Sequence, residues 1–328
     1  MKLSVVIPVY NGAEFIAKSY QSIMGQQLQE FEIIYIDNNS QDRSVELIKE
    51  LVKDDSRVKL LMQSKQGASP TRNLGISKAI GDYIYLFDVD DEIFPNALNR
   101  LIHVLDEYPE IDAVFGKMIK SYKGLNNIEK PENETHKVDF KDKPFWGLKW
   151  FSSLRSVVGP PAFLYRREVF DKIGLFNEEF KVGEDTAFDI KLGMMCNLAY
   201  LDTYIYLYFK HQESTMQVTK QKTQRAFMVW PRLVKEHLPF YLNNKTPLKF
   251  KQLLFAQIYK SMGKQLFYTK EFKARKRLKR ELINAIEPIH LPGMIRFFLS
   301  MLVIFPVPVV IKIYGYYIVP FIKSRIKE

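Results

Sequence analysis

The amino-acid sequence predicts an α/β fold, a mostly parallel sheet flanked by helices, continued by a helical, basic C-terminal region. Three observations carry this. Short apolar, β-rich runs alternate with stretches of helical periodicity through the first 115 residues. Of 328 residues, 47% are hydrophobic and 26% charged, enough carbon for a sizeable core and too much for a disordered chain. The charge is unevenly divided: residues 1–200 hold 25 Lys and Arg against 30 Asp and Glu, residues 201–328 hold 23 against 7. An acidic first part and a basic last part point to two different jobs. The basic part calls for a phosphate-rich partner, nucleic acid or anionic lipid.

The run Leu3–Val9 reads as a buried strand. It is too short for a signal-peptide core and is followed by Tyr10-Asn11-Gly12 in place of a small-residue cleavage site. Ile16, Tyr20, Ile23 and Met24 then share one helical face. Phe31–Ile36 is a second strand, Asn38-Asn39-Ser40 a turn, and Val45, Ile48, Leu51 and Val52 mark the next helix. Arg57–Met62 is the third strand. Ser69-Pro70 starts a helix that ends near Gly81, with serine as the cap and proline in the first turn. Tyr83–Phe87 is the fourth strand, Pro95 opens a helix, and Ile111–Phe115 is a candidate fifth strand. Residues 120–145 are polar and read as a surface excursion, a helix is expected around 185–195, and Tyr200–Phe209 is a very aromatic run. The single cysteine, Cys196, excludes an internal disulfide and reads as a small buried hydrophobe.

Ligands of such sheets bind at the carboxyl ends of the strands, so the chemistry is sought in the polar residues that follow each run. After Phe87 come Asp88, Asp90, Asp91 and Glu92. Strand alternation places Asp88 and Asp90 on one side. Two carboxylates so close repel each other, and Mg²⁺ or Mn²⁺ would relieve that with all-oxygen ligation; a solvated acidic turn is the alternative. Asp37 and Asn38 could accept from a base or ribose, or form an Asx-type turn. Arg72, in the loop and helix start from Gly67, could fork onto a phosphate or sit on the surface. Glu184-Asp185 could be a general base with a supporting carboxylate, or a helix cap. His211 is a metal ligand if a metal is near and a structural histidine otherwise.

Each signal is weak alone, but their order is specific. Ser4–Gly12, Ile36–Ser40, Gly67–Gly75, Gly81–Asp91, Gly174–Glu178 and Gly183–Asp185 together resemble glycosyltransferase family 2, the inverting GT-A enzymes, over roughly residues 1–215. The resemblance implies a GT-A, Rossmann-like sheet and a nucleotide-diphosphate sugar donor, with a UDP sugar favoured. The donor site it implies comprises Pro8, Val9, Tyr10, Asn11, Asp37, Asn38, Gly67, Arg72, Asp88, Val89 and Asp90. It makes Asp88-Val89-Asp90 the Asp-x-Asp motif, with Mn²⁺ or Mg²⁺ at Asp90, Asp88 and His211. Asp185 becomes the catalytic base with Glu184 in support, and His211-Gln-Glu-Ser214 matches a His-x-x-Ser found near the metal. Asn38 replaces the acid that often contacts uracil; its amide oxygen can still accept the imide proton. The Gln-x-x-Arg-Trp signature of processive synthases is absent, which favours single-sugar transfer. A base at Asp185 must be ionised, so activity should fall in acid. A sugar-phosphate nucleotidyltransferase would carry a glycine-rich loop that Pro8–Gly12 is not. A non-catalytic nucleotide-sugar-binding membrane adaptor would not need Asp88, Asp90 and Asp185 intact.

From about residue 216 the composition shifts to Lys, Leu, Phe and Tyr at helical spacing, which sets the boundary between a catalytic region 1–215 and a C-terminal region 216–328. Lys270–Glu281 contains seven Lys or Arg, and the uncharged stretch 297–311 is only 15 residues with Pro306 and Pro308 inside. A full span needs about 20 apolar residues. Residues 270–328 therefore read as helices lying in a membrane interface, on the cytoplasmic face, peripheral or monotopic, with Tyr314, Tyr316 and Tyr317 at the boundary. A kinked span or hairpin is one alternative; a helical extension packed on the catalytic domain or in a homo-oligomer is the other. The apolar run favours lipid over nucleic acid, and a membrane-bound enzyme suits a lipid-linked or surface-glycan acceptor.

Overall fold

The structure, a computed structural model, describes residues 2–180, 183–211, 236–237, 247–287 and 289–327. The chain divides into two compact units, Met1–Gln217 and Val218–Glu328. The boundary expected at 215/216, and Ser214 of the His-x-x-Ser motif, lie outside the described residues.

The first unit is built on one nine-stranded sheet. In chain order its elements begin with β1 (Leu3–Val9), α1 (Ala13–Met24), β2 (Phe31–Asp37), α2 (Ser44–Asp54), β3 (Val58–Met62), α3 (Ala68–Lys78), β4 (Tyr83–Leu86), β5 (Glu92–Ile93) and α4 (Ala97–Glu107). They continue with β6 (Ala113–Ser121), β7 (Val138–Lys141), α5 (Phe145–Ser152), β8 (Phe163–Arg166), α6 (Glu168–Ile173), α7 (Glu184–Met195) and β9 (Leu198–Phe209). The strand order is β3-β2-β1-β4-β8-β6-β9-β5, with β7 on the flank of β9. Pairing makes β3, β2, β1 and β4 mutually parallel. β8 runs against both β4 and β6, so β6 and its parallel partner β9 share the direction of β1. β5 and β7 run against β9. The sheet is thus mostly parallel, and the carboxyl ends of β1, β2 and β4 lie side by side.

The central strands are buried from end to end, which is why they read as unbroken apolar runs. Gly75 lets α3 lie close on that sheet: a Cβ there would stand 2.4 Å from Val6 and 2.6 Å from Ile36. Several expectations are corrected. Ser69 lies inside α3, and the cap falls at Gly67, whose φ of +138° suits only glycine. The strand expected over Ile111–Phe115 is β6, which starts at Ala113 and runs to Ser121. The polar excursion contains β7, which pairs along β9, and the aromatic run is itself a 12-residue strand. β4 stops at Leu86, so Asp88–Asp91 form a turn, closed by Asp91 N–H donating to Asp88 O, and strand alternation does not govern their directions.

The second unit is helical over Leu248–Tyr268, Phe272–Asn284, Gly293–Ile304 and Pro308–Ser324, the last with a π-helical turn at Tyr314–Ile318. Its core takes Leu254, Tyr259, Met262, Ile295, Leu299 and Tyr314, joined from the apolar run by Leu302, Val303 and Val310, so part of that run is spent on packing inside this unit. The basic run is not all available to a partner either. Arg275 is buried and donates to the carbonyls of Val303, Thr269 and Lys270. Among the described residues no helix is long and apolar enough to cross a membrane.

Candidate active site

The site forms where β1, β2 and β4 end. At β1, Val9 O accepts from Asn38 N–H, which ties the ends of β1 and β2 together. Val9 is buried, Pro8 half-buried, and Tyr10 56% exposed. Asn11 has a left-handed φ of 48° and its Oδ1 accepts from Gln41 N–H at 2.7 Å. At β2, Asp37 is buried. Its Oδ2 accepts from Ser40 N–H at 3.1 Å, while Oδ1 has no partner among the described residues. The Asn38 amide laces the next loop to the strand: it donates to Gln63 O and Lys65 O and accepts from Gly67 N–H at 2.7 Å. The Asn38 oxygen expected to meet a base already accepts one hydrogen bond and has a second lone pair, and the Asp37 Oδ1 of the preceding residue is buried.

Arg72 joins three motifs that lie far apart in sequence. It projects from α3 with its side chain 8% exposed and donates to Asp88 Oδ1 at 2.7 Å and Glu184 Oε1 at 3.5 Å. Burial works against its charge, but Asp88 and Glu184 outweigh that and hold its pKa above the usual value. The surface alternative for Arg72 is thereby corrected. Its Nε has no partner among the described residues.

The acidic turn divides its labour. Asp88 faces Arg72. Asp90 Oδ2 lies 2.8 Å from His211 Nε2, and burial followed by the charge of Asp88 raises the Asp90 pKa. Val89, between them, is buried against Gly12. Asp91 is fully buried; its Oδ1 accepts from Phe209 N–H at 3.0 Å and fastens the end of β9. That anchor delivers His211, two residues on, against the rings of Phe15 and Phe209. Burial, then Asp90 and Asp88, hold the Asp91 carboxyl well above the carboxylate range, and its Oδ2 has no partner among the described residues.

α7 supplies the remaining acids. Gly183, at φ +85°, precedes Glu184, whose pKa is raised by burial and then by Asp185. Asp185 Oδ1 accepts from Thr186 N–H at 2.7 Å. One turn on, Asp189 is wholly buried; Oδ2 accepts from Gly159 N–H and Oδ1 has no partner among the described residues. Asp91 and Asp189 escaped the sequence reading. Asp91 sat within a noted acidic run, but nothing in the run distinguishes an anchor from a ligand. The only signal for Asp189 was its i+4 spacing from Asp185 between Phe188 and Ile190.

A divalent cation fits this cluster in charge. Two carboxyls with raised pKa values and an unpartnered buried oxygen mark a place short of positive charge. Among the described residues no three His, Cys, Asp or Glu side chains converge to hold a cation unaided. Arg72 takes Asp88 Oδ1, while Asp90 and His211 stand paired beside it as candidate ligands, with other positions left for substrate oxygens.

Comparison with known proteins gives the chain's family and fold. The Glycosyl transferase family 2 profile matches residues 4–174. EpsJ, an uncharacterized glycosyltransferase of Bacillus subtilis, is 28% identical over 66% of this chain and 63% of its own length. The GalNAc(5)-diNAcBac-PP-undecaprenol β-1,3-glucosyltransferase of Campylobacter jejuni is 31% identical over 56% of this chain and 58% of its own. The chain thus spans about three fifths of the length of these curated relatives. In fold it is similar to S. aureus TarS 1–349 in complex with UDP-GlcNAc, with a TM-score of 0.67 at 20% identity over 97% of this chain and 93% of that one. It is also similar to the Pyrobaculum calidifontis mannosyltransferase PcManGT in complex with GDP-Man and Mn²⁺, with a TM-score of 0.52 at 14% identity over 96% and 87%. The fold is GT-A, and the chain belongs to glycosyl transferase family 2.

Proposed function

We propose that this chain is an inverting glycosyltransferase. It moves one sugar from a nucleotide-diphosphate sugar, a UDP sugar, to a hydroxyl of a lipid-linked or cell-surface glycan acceptor at the cytoplasmic face of the plasma membrane. The observation that carries the reading is Arg72, buried and paired at once with Asp88 after β4 and Glu184 at the start of α7. One cation at that junction brings the candidate diphosphate site and the candidate base within reach of a single substrate. The UDP-GlcNAc of the TarS complex and the undecaprenol-linked substrate in the Campylobacter relative's name support the choice of donor and acceptor classes.

Pro8 to Asn11 and Asp37 receive the nucleotide base, with Asn38 and Gly67 fixing the loop around it. The diphosphate lies by Asp88-Val89-Asp90, with Arg72 supplying fixed positive charge as negative charge grows on the leaving oxygen. Asp90 and His211, with diphosphate oxygens, would hold Mn²⁺ or Mg²⁺, which when bound neutralises that same charge. Asp185 accepts the acceptor hydroxyl's proton as its oxygen bonds to the anomeric carbon. The sugar–phosphate bond breaks with its electron pair on the diphosphate, and the opposite approach inverts the configuration. Glu184, tied to Arg72, holds the N-terminus of α7 in place.

A panel of nucleotide sugars with and without Mn²⁺ tests this by thermal shift followed by turnover. A UDP sugar with Mn²⁺ is expected to raise Tm and be consumed, and a chelator to reverse both. No Tm shift from any donor, or turnover indifferent to the chelator, would overturn the reading.

A further inference from the structure

The helical run Pro308–Ser324 is apolar on two opposite sides. Its buried residues are Val310, Tyr314 and Val319, spaced by four and then five. The longer step falls on the π-helical turn Tyr314–Ile318, which takes up one extra residue and keeps the stripe on the core. Tyr314 OH donates to Tyr259 O, and its ring lies so close to Gly263 that a Cβ there would stand 2.4 Å away. That side is therefore fully used within the unit. A surface helix normally turns charge to the other side. Here Val309, Ile313, Tyr316, Tyr317 and Phe321 are exposed at helical spacing, Tyr316 by 75% and Tyr317 by 70%, with Lys312 among them.

The joint before this run repeats the pattern. Between Ile304 and Val309 the chain is bracketed by Pro306 and Pro308. It exposes Ile304, Phe305 and Val307 with no charge among them, Phe305 by 56%. Prolines stop the helix here, so the carbon is held out on a bend.

We infer that the joint 304–309 and the outer stripe of Pro308–Ser324 insert into one leaflet of an anionic phospholipid membrane, a monotopic contact ringed by Arg296, Lys312, Arg325 and Lys327. Charge selects this occupant. Residues 289–327 contain no Asp or Glu, so a second copy would press like charges together across a symmetric interface. A lipid surface offers carbon and phosphate at once. Length argues against a span, since the 12-residue helix Gly293–Ile304 reaches about 18 Å of a roughly 30 Å core. The tyrosines, with apolar rings and a polar tip, suit headgroup depth. The inference rests on the membrane-surface reading above for its direction, but it needs no transfer chemistry.

Flotation of the full-length chain tests it, using vesicles of phosphatidylcholine alone or mixed with phosphatidylglycerol. Binding is expected on the mixed vesicles and should weaken with salt. The triple variant Phe305→Ser/Val309→Ser/Tyr317→Ser should bind at least about tenfold more weakly, since burying a single such side chain is worth about that factor, with Tm unchanged. Arg296→Glu/Lys312→Glu, which keeps the apolar face, should also lose at least about tenfold, as each cation near the surface contributes roughly fivefold. Variants that float like the parent would overturn the inference. So would a parent that ignores both vesicles and forms an oligomer that the triple variant dissolves. Donor-induced Tm shifts stay intact in either case, which separates failure here from failure of the transferase reading.

Discussion

Arg72 and Phe305 lie on opposite sides of the usual rule of burial. In the first unit a guanidinium and the carboxyls of Asp37, Asp91 and Asp189 are buried where carbon would be expected. In the second, Phe305, Val309 and Tyr317 stand exposed where charge would be expected. Burying charge costs several kcal/mol unless something compensates it, and exposed carbon gives up about 25 cal/mol per Å² that burial would provide. Each departure makes sense if a missing partner completes it, a divalent cation carried with a phosphate-bearing donor for the first and a lipid surface for the second. The difference lies in how the departure is built. The buried charges come from β2, α3, the β4 turn and α7, whereas the exposed carbon is contiguous along one stretch of chain.

The contrast breaks most visibly at Asp185. Asp185→Asn should cut turnover by about 10²–10⁴-fold while the donor still raises Tm; turnover close to the parent's would remove Asp185 as the base. Next comes Arg72→Gln, which strands Asp88 and Glu184 and should cost roughly 3–5 kcal/mol in denaturant unfolding. A loss under about 1 kcal/mol would mean that these charges are screened like surface ones, and the buried-charge side of the comparison would fail. The smallest effect is expected at Asp189, whose carboxyl is pushed well above the usual range first by burial and then by Asp185. A raised acid favours the neutral form in the folded state. Its contribution is therefore complete below the unfolded value of about 3.9 and is lost as pH rises through the folded one. Asp189→Asn stays neutral, so its Tm relative to the parent should climb with pH. A difference flat across pH would show that Asp189 is ionised when folded.

Legibility followed the same division. The strands β1, β2 and β4 were plain as runs of buried residues and β3 as a short apolar run, and the motifs at their ends were visible because each sits next in sequence to its strand. The edge strand β7 was not, since Val138–Lys141 is half-exposed and lies in polar sequence that mimics a loop. The long strand β9 was seen only as aromatic composition. Buried on both sides over much of its length, it shows no alternation to read.

By itself, the sequence determined the alternating α/β framework, the order of the polar motifs at the strand ends and the split between acidic and basic halves. These depend on residues near one another along the chain, where periodicity and turn chemistry act. Tertiary structure alone decided that Arg72 holds both Asp88 and Glu184, that Asn38 closes on Gly67, that Asp91 anchors β9 and so sets His211 beside Asp90, and which half of the apolar tail faces out. Each of these is a pairing between distant residues, and only the packing of sheet and helices sets which charges share a desolvated space and which carbon is left in water.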